Sequence, residues 1–317
     1  MADAARQWPS SFGDRLTAPL PGFRDVVRML RERGPARDLA AEVAAVPVVS
    51  GRGTLPARPP GRISVTWVGH ATFVLRFGGP AGEVTVLTDP VWSTRIPGVA
   101  PRLTPVGVEW RSLPPVDAVV ISHNHYDHLD AKTIRRLPRT TPVLVPARLG
   151  RWFRRRGFTE VTELDWWESC QLGPVRYEFV PAHHWSRRGL ADTCRTLWGG
   201  WVLTGSGGRI YFAGDTGYGH WFSRIAARCP DIDLALLPVG AYDPRWFMRA
   251  VHMNPEEAVR ACDDLGAARM ATMHWGTFIL SAEPVAEPPE RAEKAWITAG
   301  RPRDDLWDLA IGETRAL

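Results

Sequence analysis

Short apolar runs recur along the chain from residue 63 onward, separated by Gly, Pro, Asp and Asn. Runs of this length that are rich in β-branched and aromatic residues predict strands. The predicted strands are 63–68, 72–77, 83–88, 116–122, 142–146, 175–181, 198–204, 209–213, 234–238 and 269–273. The sequence Gly-Ser-Gly-Gly at 205–208 predicts that the strands on either side of it form a hairpin.

Helical patterns lie mainly between the later strands. The segment 254–265 begins with Asn254 and Pro255, which suit the N-cap and the first helical position. Shorter helices are predicted at 131–137 and around the arginine-rich stretch 151–156, whereas the Pro- and Glu-rich tail after residue 280 predicts only a short final segment. Strands paired first by hairpins and later linked through helices favour two packed sheets flanked by helices.

The first 61 residues differ from the rest in composition, and we predict an N-terminal arm at 1–61 before a main domain at 62–317. An amphipathic helix is predicted at 23–33, with Val26, Val27, Met29 and Leu30 on its apolar side. This helix is a candidate for peripheral membrane contact, and packing against the core explains it equally well. The Gly-, Pro- and Arg-rich stretch 51–61 predicts a linker.

Composition narrows the class of protein. The chain has 317 residues, 44% of them hydrophobic, so it can bury a large core. No stretch approaches the roughly 18 apolar residues of a membrane-spanning helix. The first residues lack the apolar segment of a secretory signal, and we expect a cytoplasmic protein. Cys170, Cys194, Cys229 and Cys262 show no CxxC spacing, which favours reduced thiols over disulfides.

The formal net charge of +5 is modest for this length. Arg151, Arg154, Arg155 and Arg156 form a cluster that includes Trp152, for which a solvated helix face is the favoured interpretation. Contact with an anionic lipid or phosphate is the alternative. A nucleic-acid-binding protein would need a longer basic stripe with aromatic residues, so no nucleic-acid partner is expected.

The largest concentration of potential metal ligands lies in residues 123–128, His-Asn-His-Tyr-Asp-His, directly after the predicted strand 116–122. His123, His125, Asp127 and His128 offer imidazole nitrogens and a carboxylate, which are the ligand types that suit Zn²⁺ and similar divalent ions. A loop leaving a strand end can direct them at one point.

Further ligand-type residues follow other apolar runs. They are His184 or its neighbour His183, Asp215 within Gly-Asp-Thr-Gly, and His274. The total exceeds the four ligands of a single structural zinc, so two metals are the simplest count. The glycines beside Asp215 leave room for a carboxylate that bridges two ions.

These residues resemble the HxHxDH motif of the metallo-β-lactamase superfamily. Segments 164–168, 213–218, 238–242 and 274–278 narrow the resemblance to phospholipases D that hydrolyse N-acylphosphatidylethanolamine and to their bacterial relatives. The likeness covers roughly residues 62–280. It implies an α+β fold, the four-layer αββα sandwich.

The resemblance also implies roles for individual residues. One metal, expected to be zinc, takes His123, His125 and His184, and the family pattern favours His184 over His183 because the ligand precedes a tryptophan. The second takes Asp127, His128 and His274, while Asp215 bridges the two. Such a metal pair would activate water for attack on the phosphorus of a small-molecule or lipid phosphodiester such as N-acylphosphatidylethanolamine.

Residues around the metals are assigned in the same way. Asp127 and His252 are the candidate catalytic residues, with His252 placed to orient the phosphate or assist the leaving group. Tyr126 is a candidate substrate contact. Asp89 and Asp130 are candidates to hold the second nitrogen of a ligating imidazole, although each also fits an ordinary turn or surface carboxylate.

Three other functions remain open from the sequence. A lactonase or other ester hydrolase of the same superfamily could use the same metal pair, and a nuclease is disfavoured by the limited basic surface. A metal-bound or redox-sensing protein without turnover would not need the complete ligand set. The sequence does not predict an oligomeric state.

Overall fold

Two mixed sheets of seven strands each form the centre of the computed structural model, which describes residues 6–32, 38–49, 55–79 and 82–317. The strands of the first sheet are β1 Ser64–Gly69, β2 Thr72–Gly79, β3 Gly82–Thr88, β4 Ala118–Val120, β5 Val143–Pro146, β6 Val161–Leu164 and β14 Thr314–Ala316. Those of the second are β7 Ser169–Leu172, β8 Val175–Val180, β9 Gly200–Gly205, β10 Gly208–Phe212, β11 Leu234–Pro238, β12 Arg269–Met273 and β13 Leu306–Trp307. All the predicted strands are present, and β6, β7, β13 and β14 were not predicted.

The two sheets have related orders, β14-β1-β2-β3-β4-β5-β6 and β13-β12-β11-β10-β9-β8-β7. In the first, β1 to β3 are antiparallel and β3 to β6 are parallel. In the second, β7 to β10 are antiparallel and β10 to β13 are parallel. The hairpin of β9 and β10 pairs Gly205 with Gly208, which confirms the predicted turn.

Alternation along each strand divides the core into layers. In β2, Phe73, Leu75 and Phe77 belong to the large cluster between the sheets, whereas Val74 belongs to a second cluster on the outer face of the first sheet. Successive side chains of a strand point to opposite faces, so both faces of β2 are covered. The outer faces carry helices, and the predicted four-layer αββα sandwich is confirmed.

The helices are α1 Phe23–Arg31, α2 Leu39–Ala44, α3 Ala131–Ile134, α4 Gly150–Arg154, α5 Trp221–Arg228, α6 Arg245–Met248, α7 Pro255–Asp264 and α8 Glu287–Thr298. Helix α7 begins as predicted. Asn254 Oδ1 accepts from Glu257 N at 2.9 Å, and Asn254 N donates to Glu257 Oε2 at 3.3 Å. Helix α8 was missed, and the prediction of one short final segment is wrong.

Strand direction brings the chemistry to one edge of the sandwich. Strands β1, β3 and β4 run the same way in the first sheet, as do β8, β10, β11 and β12 in the second. The loops after β4, β8, β10 and β12 carry the ligand-type residues predicted from the sequence. Parallel strands whose carboxyl ends meet therefore build a site from distant parts of the chain.

Much of the N-terminal arm lies against the main domain. Phe12 is fully buried and its N–H donates to the carbonyl of Cys194 at 2.7 Å, while Val48 forms a bridge with Ile311. The end of the predicted helix at Arg33 and residues 51–54 of the predicted linker lie outside the described residues. The division at residue 62 remains a prediction.

Helix α1 leaves part of its apolar side uncovered. The side chains of Val27 and Met29 are half-buried, whereas Phe23 is 84% exposed and Val26 is 36% exposed. Across the described ranges, no helix has both the length and the apolar character needed to span a bilayer.

Candidate metal centre

Three histidines and one aspartate form a first cluster at the edge of the sandwich. His123 Nε2 lies 2.9 Å from His125 Nδ1, which lies 3.2 Å from His184 Nε2. Asp215 Oδ2 is 3.9 Å from His123 Nε2 and 3.7 Å from His184 Nε2. One ligand atom from each residue therefore points at a shared space.

A second cluster adjoins the first. His128 Nε2 lies 3.3 Å from His274 Nε2 and 3.4 Å from Asp127 Oδ2. Asp215 belongs to this cluster too, since its Oδ2 is 3.2 Å from His128 Nε2 and its Oδ1 is 3.0 Å from His274 Nε2. The structure thus brings together all seven residues predicted as ligands, with Asp215 between the two groups.

The spacing of these nitrogens fits metal ions. Zinc binds histidine nitrogen at about 2.0–2.1 Å, and a tetrahedral site then places neighbouring nitrogens about 3.3 Å apart. The three imidazole pairs described above are separated by 2.9–3.3 Å. Imidazole nitrogens that converge at this distance, deep in a protein, satisfy one another poorly without a cation between them. The His and Asp clusters are therefore able to bind metal.

Gly214 explains how Asp215 reaches both clusters. It has a φ of +60°, and a Cβ at this position would lie 2.4 Å from the Cβ of Ser122. Only glycine allows the loop after β10 to approach the start of the histidine loop this closely.

His183 and His184 point in different directions. The backbone of His183 pairs with Gly217, and its Nδ1 lies 2.7 Å from Thr17 Oγ1, away from the clusters. The next side chain along this extended segment is directed to the opposite side. His184 accordingly enters the first cluster, and its Nδ1 donates to the carbonyl of Val251 at 3.0 Å.

Asp89 and Asp130 differ in what they contact. Asp89 is fully buried, lies 2.7 Å from His128 Nδ1 and accepts from the backbone N and the hydroxyl of Ser122. It therefore orients a histidine of the second cluster, as predicted for an outer carboxylate.

The prediction for Asp130 needs correction. Within the described residues, its carboxylate accepts hydrogen bonds from Ser93 N, Lys132 N and Thr133 Oγ1, and from no histidine of the clusters. Asp130 is the N-cap of α3, and its oxygens are directed back at the first turn of that helix.

His70 lies in the site but was not predicted from the sequence. It is buried in the turn between β1 and β2, and its Nε2 is 3.1 Å from Asp127 Oδ2. It also lies close enough to His128 and His274 to be a further ligand of the second cluster. The sequence contained an indication of this, because His70 lies two residues after the predicted strand 63–68, and the other ligand-type residues likewise lie shortly after predicted strands.

His252 lies beside both clusters. Its ring centroid is 5.2 Å from that of His184 and 5.6 Å from that of His274, and its Nδ1 is buried without a hydrogen-bond partner among the described residues. The carbonyl of His252 accepts from Arg245 at 2.8 Å, and Arg245 also pairs with Glu257.

The electrostatics of the histidines depend on their carboxylate neighbours. Burial lowers the pKa of His125 and of His252 to about 4, which keeps both imidazoles neutral near pH 7. Burial acts in the same direction on His274, but Asp215 and Asp127 outweigh it and raise its pKa to about 9. Metal binding at His274 must displace a proton.

The histidine loop is partly exposed to solvent at residues 125–127. His125, Tyr126 and Asp127 are half-buried, whereas His123 and His128 are buried. The hydroxyl of Tyr126 donates to the carbonyl of Arg188 at 2.8 Å, and the Arg188 guanidinium lies 4.1 Å from the centre of the Tyr126 ring. Tyr126 therefore lies at the entrance of the metal centre, and its hydroxyl is not one of the atoms that could bind a metal.

The fold and the His/Asp clusters agree with the family that the sequence matches. Residues 84–275 match the family described as "Beta-lactamase superfamily domain", and the chain belongs to this superfamily. It is a metal-dependent hydrolase.

Relatives narrow the comparison further. The chain is 41% identical over 294 residues to an uncharacterized protein of Mycobacterium tuberculosis (strain ATCC 25618 / H37Rv), covering 88% of this chain and 77% of that protein. It is 36% identical over 263 residues to N-acyl-phosphatidylethanolamine-hydrolyzing phospholipase D 1 of Caenorhabditis elegans, covering 78% and 72%.

A solved structure shows the same fold. The possible metal-dependent hydrolase from Veillonella parvula DSM 2008 superposes with a TM-score of 0.65 at 18% identity, covering 80% of this chain and 99% of that one.

Proposed function

We propose that the protein is a phosphodiesterase that uses two divalent metal ions, most simply zinc, to hydrolyse a lipid-like phosphodiester. The observation that carries this proposal is the pair of adjacent His/Asp clusters that share Asp215. Similarity to a phospholipase D over 78% of the chain supports a phosphodiester as the substrate.

The proposed ligands follow from the two clusters. The first ion would be held by His123, His125 and His184, and the second by Asp127, His128 and His274, with Asp215 between them. Asp89 would hold His128 through its other nitrogen. His70 would either complete the second ion's ligand set or orient Asp127.

When bound, two such ions lower the pKa of water and stabilise charge on phosphoryl oxygens. The protein's own contribution is to position these groups and to contact the substrate. One ring nitrogen of His252 lies within 4.8 Å of ligand atoms of Asp215 and His274, so His252 would orient a phosphate oxygen or donate to the leaving oxygen. Asp127 is half-buried, and its carboxylate, 3.4 Å from His128 Nε2, would help to hold the second ion against the diester.

The apolar surface near α1 supports a lipid substrate and peripheral contact with a membrane. Phe23 and Trp246, which is 40% exposed, lie on neighbouring elements linked through Arg28, whose guanidinium is 4.1 Å from the Trp246 ring. Trp246 also lines a cavity of about 250 Å³, together with Leu20, Phe247 and Val251 among others. Val251 accepts the hydrogen bond of His184, so this cavity adjoins the metal centre.

A cytoplasmic location completes the proposal. All four cysteines are free thiols, three of them buried, as a reducing compartment allows.

Parallel assays test this function. The metal-loaded protein is incubated with bis-p-nitrophenyl phosphate, with an N-acylphosphatidylethanolamine in mixed micelles and with a simple lactone, each beside His125→Ala. We expect turnover of both phosphodiesters and a loss of at least about 100-fold in His125→Ala, since a first-cluster ligand is removed. Turnover of the lactone without either phosphodiester would replace this proposal with an ester hydrolase.

A further inference from the structure

A cavity of about 440 Å³ lies beside the entrance of the metal centre. Tyr126 and Asp130 line it from the histidine loop and the residues that follow, while Arg188 comes from the loop after His184. Arg188 Nη1 donates to the carbonyls of Asn124 and His125, at 3.1 and 3.5 Å. The cavity wall and the histidine loop are thus joined by hydrogen bonds.

The lining of this cavity carries an excess of positive charge. Four cationic side chains line it, namely Arg95, Lys132, Arg135 and Arg188, and the one acidic side chain is Asp130. Asp130 accepts hydrogen bonds from Ser93 N, Lys132 N and Thr133 Oγ1, and its single negative charge offsets only part of the four positive charges. Among the described residues, none of the four cations forms an ion pair within 4 Å.

Other cations of the molecule do have a carboxylate partner, as Arg154 has in Glu163 at 2.7 Å and Arg291 has in Glu256 at 2.7 Å. What distinguishes the cavity is that four cations without such a partner line one space. Like charges gathered without counter-ions repel one another and attract an anion. Arginine, moreover, matches carboxylate and phosphate groups through paired N–H donors.

The cavity has a rigid side as well as a charged one. The Arg188 guanidinium lies 4.1 Å from the centre of the Tyr126 ring and 5.5 Å from that of the Trp152 ring, and buried Ile96 also lines the cavity. A cation fixed on aromatic rings and backbone carbonyls loses little freedom when it binds an anion. Arg95 and Arg135 are exposed and can close on the bound group from the rim.

We propose that this cavity binds a second acidic group of the substrate, so that phosphodiesters carrying an additional carboxylate or phosphate are preferred over those with a single negative charge. This inference rests on the proposed phosphodiesterase function, because it places the scissile phosphate at the metal centre. The preferred substrate class is then a dianionic or more highly charged phosphodiester, whether a lipid headgroup or a soluble molecule.

Two diesters with the same leaving group test the subsite. p-Nitrophenyl phenyl phosphate has one negative charge, and p-nitrophenyl m-carboxyphenyl phosphate has two. We expect wild-type kcat/KM to be about tenfold higher for the carboxylated diester, and this ratio to fall to about one in the double variant Arg95→Gln/Arg135→Gln. Equal kcat/KM for the two diesters in the wild type would overturn the subsite and leave the phosphodiesterase intact.

A control variant removes the same net charge elsewhere. Arg155 and Lys294 are exposed, line no part of this cavity, and have no side-chain ion pair among the described residues. The double variant Arg155→Gln/Lys294→Gln is expected to keep the wild-type ratio. If it loses the preference as fully as Arg95→Gln/Arg135→Gln does, net charge and not the cavity accounts for the effect.

A binding measurement separates this inference from the proposed function. Sulfate titrated calorimetrically into the metal-loaded protein is expected to bind about tenfold more weakly to Arg95→Gln/Arg135→Gln than to the control variant. If neither diester is hydrolysed, the phosphodiesterase proposal fails while sulfate still reports on the cavity. Equal sulfate affinity in the two variants would overturn the subsite.

A final experiment tests whether the basic residues of the cavity bind an anionic membrane surface instead of a second acidic group of the substrate. Co-sedimentation with phosphatidylglycerol vesicles is compared between the two double variants. If Arg95→Gln/Arg135→Gln loses vesicle binding while its diester ratio matches the wild type, the basic residues serve a lipid surface and the substrate subsite is overturned.

Discussion

Asp89 and Asp130 were predicted to have the same role, but the contacts of their carboxylates differ. Both were candidates to hold a ligating imidazole, and each also fitted an ordinary turn or surface carboxylate. Asp89 contacts His128 across the fold, whereas Asp130 caps the helix that begins one residue later. A local cap is readable from neighbouring residues, but the contact with His128 spans 39 positions and depends on how β3 and β4 pair.

The two aspartates therefore give opposite predictions. Asp89→Asn is expected to lower metal affinity by roughly 10–100-fold, because His128 loses the anion that orients it. Asp130→Asn keeps a capping side chain and is expected to change metal affinity by less than about twofold. Competition with a chromogenic zinc chelator measures both. Equal affinities for the two variants would contradict the role assigned to Asp89.

Cys170 gives a prediction that depends on pH. Burial raises the pKa of its thiol from 9.0 to about 11, although nearby Arg176 acts in the opposite direction. The thiolate is the form that reacts, so between pH 8 and 10 the alkylation rate of Cys170 in the native protein should rise about tenfold per pH unit without levelling. Iodoacetamide labelling followed by peptide mass spectrometry measures this rate.

The unfolded chain provides the control for Cys170. In urea the same peptide should level off near pH 9. Because the native pKa is the higher one, this thiol costs the native state no stability below pH 9 and lowers its stability as pH rises towards 11. A native rate that levels near pH 9 would show that Cys170 is not desolvated.

Among the helices and strands, prediction from the sequence was correct where the residues that determine an element lie within a few positions of one another. The hairpin of β9 and β10 and the start of α7 both depend on turn or cap residues that lie next to one another. Helix α8 was missed because Pro288 and Pro289 suggested a break. They lie in its first turn, where the backbone N–H groups have no partner in the helix and proline is tolerated.

The cap of α7 can be tested directly. Asn254→Ala should lower the free energy of unfolding by about 1 kcal/mol, since Glu257 N loses its side-chain acceptor. Asn254→Asp retains an acceptor and should stay within about 0.5 kcal/mol of the wild type. Urea unfolding followed by circular dichroism compares them. Equal stability of Asn254→Ala and the wild type would mean that the cap contributes nothing.

At the scale of the whole molecule, the metal centre spans both sheets. The first sheet supplies the histidine loop after β4, and the second supplies His184, Asp215 and His274. The sequence predicted these residues as one set because each follows a strand and together they match a family pattern. Which of His183 and His184 enters the site could not be read from alternation, since it depends on the bridge between His183 and Gly217. Convergence of two sheets is a property of packing and not of any local segment.

The proposed hydrolase depends on one metal ion in each of the two clusters. Native mass spectrometry of the protein loaded with excess zinc and then desalted counts the bound ions directly. We predict about two ions per chain in the wild type and about one in His125→Ala, because only the first cluster loses a ligand. A wild-type chain that retains one ion or none under these conditions would contradict the two-metal centre.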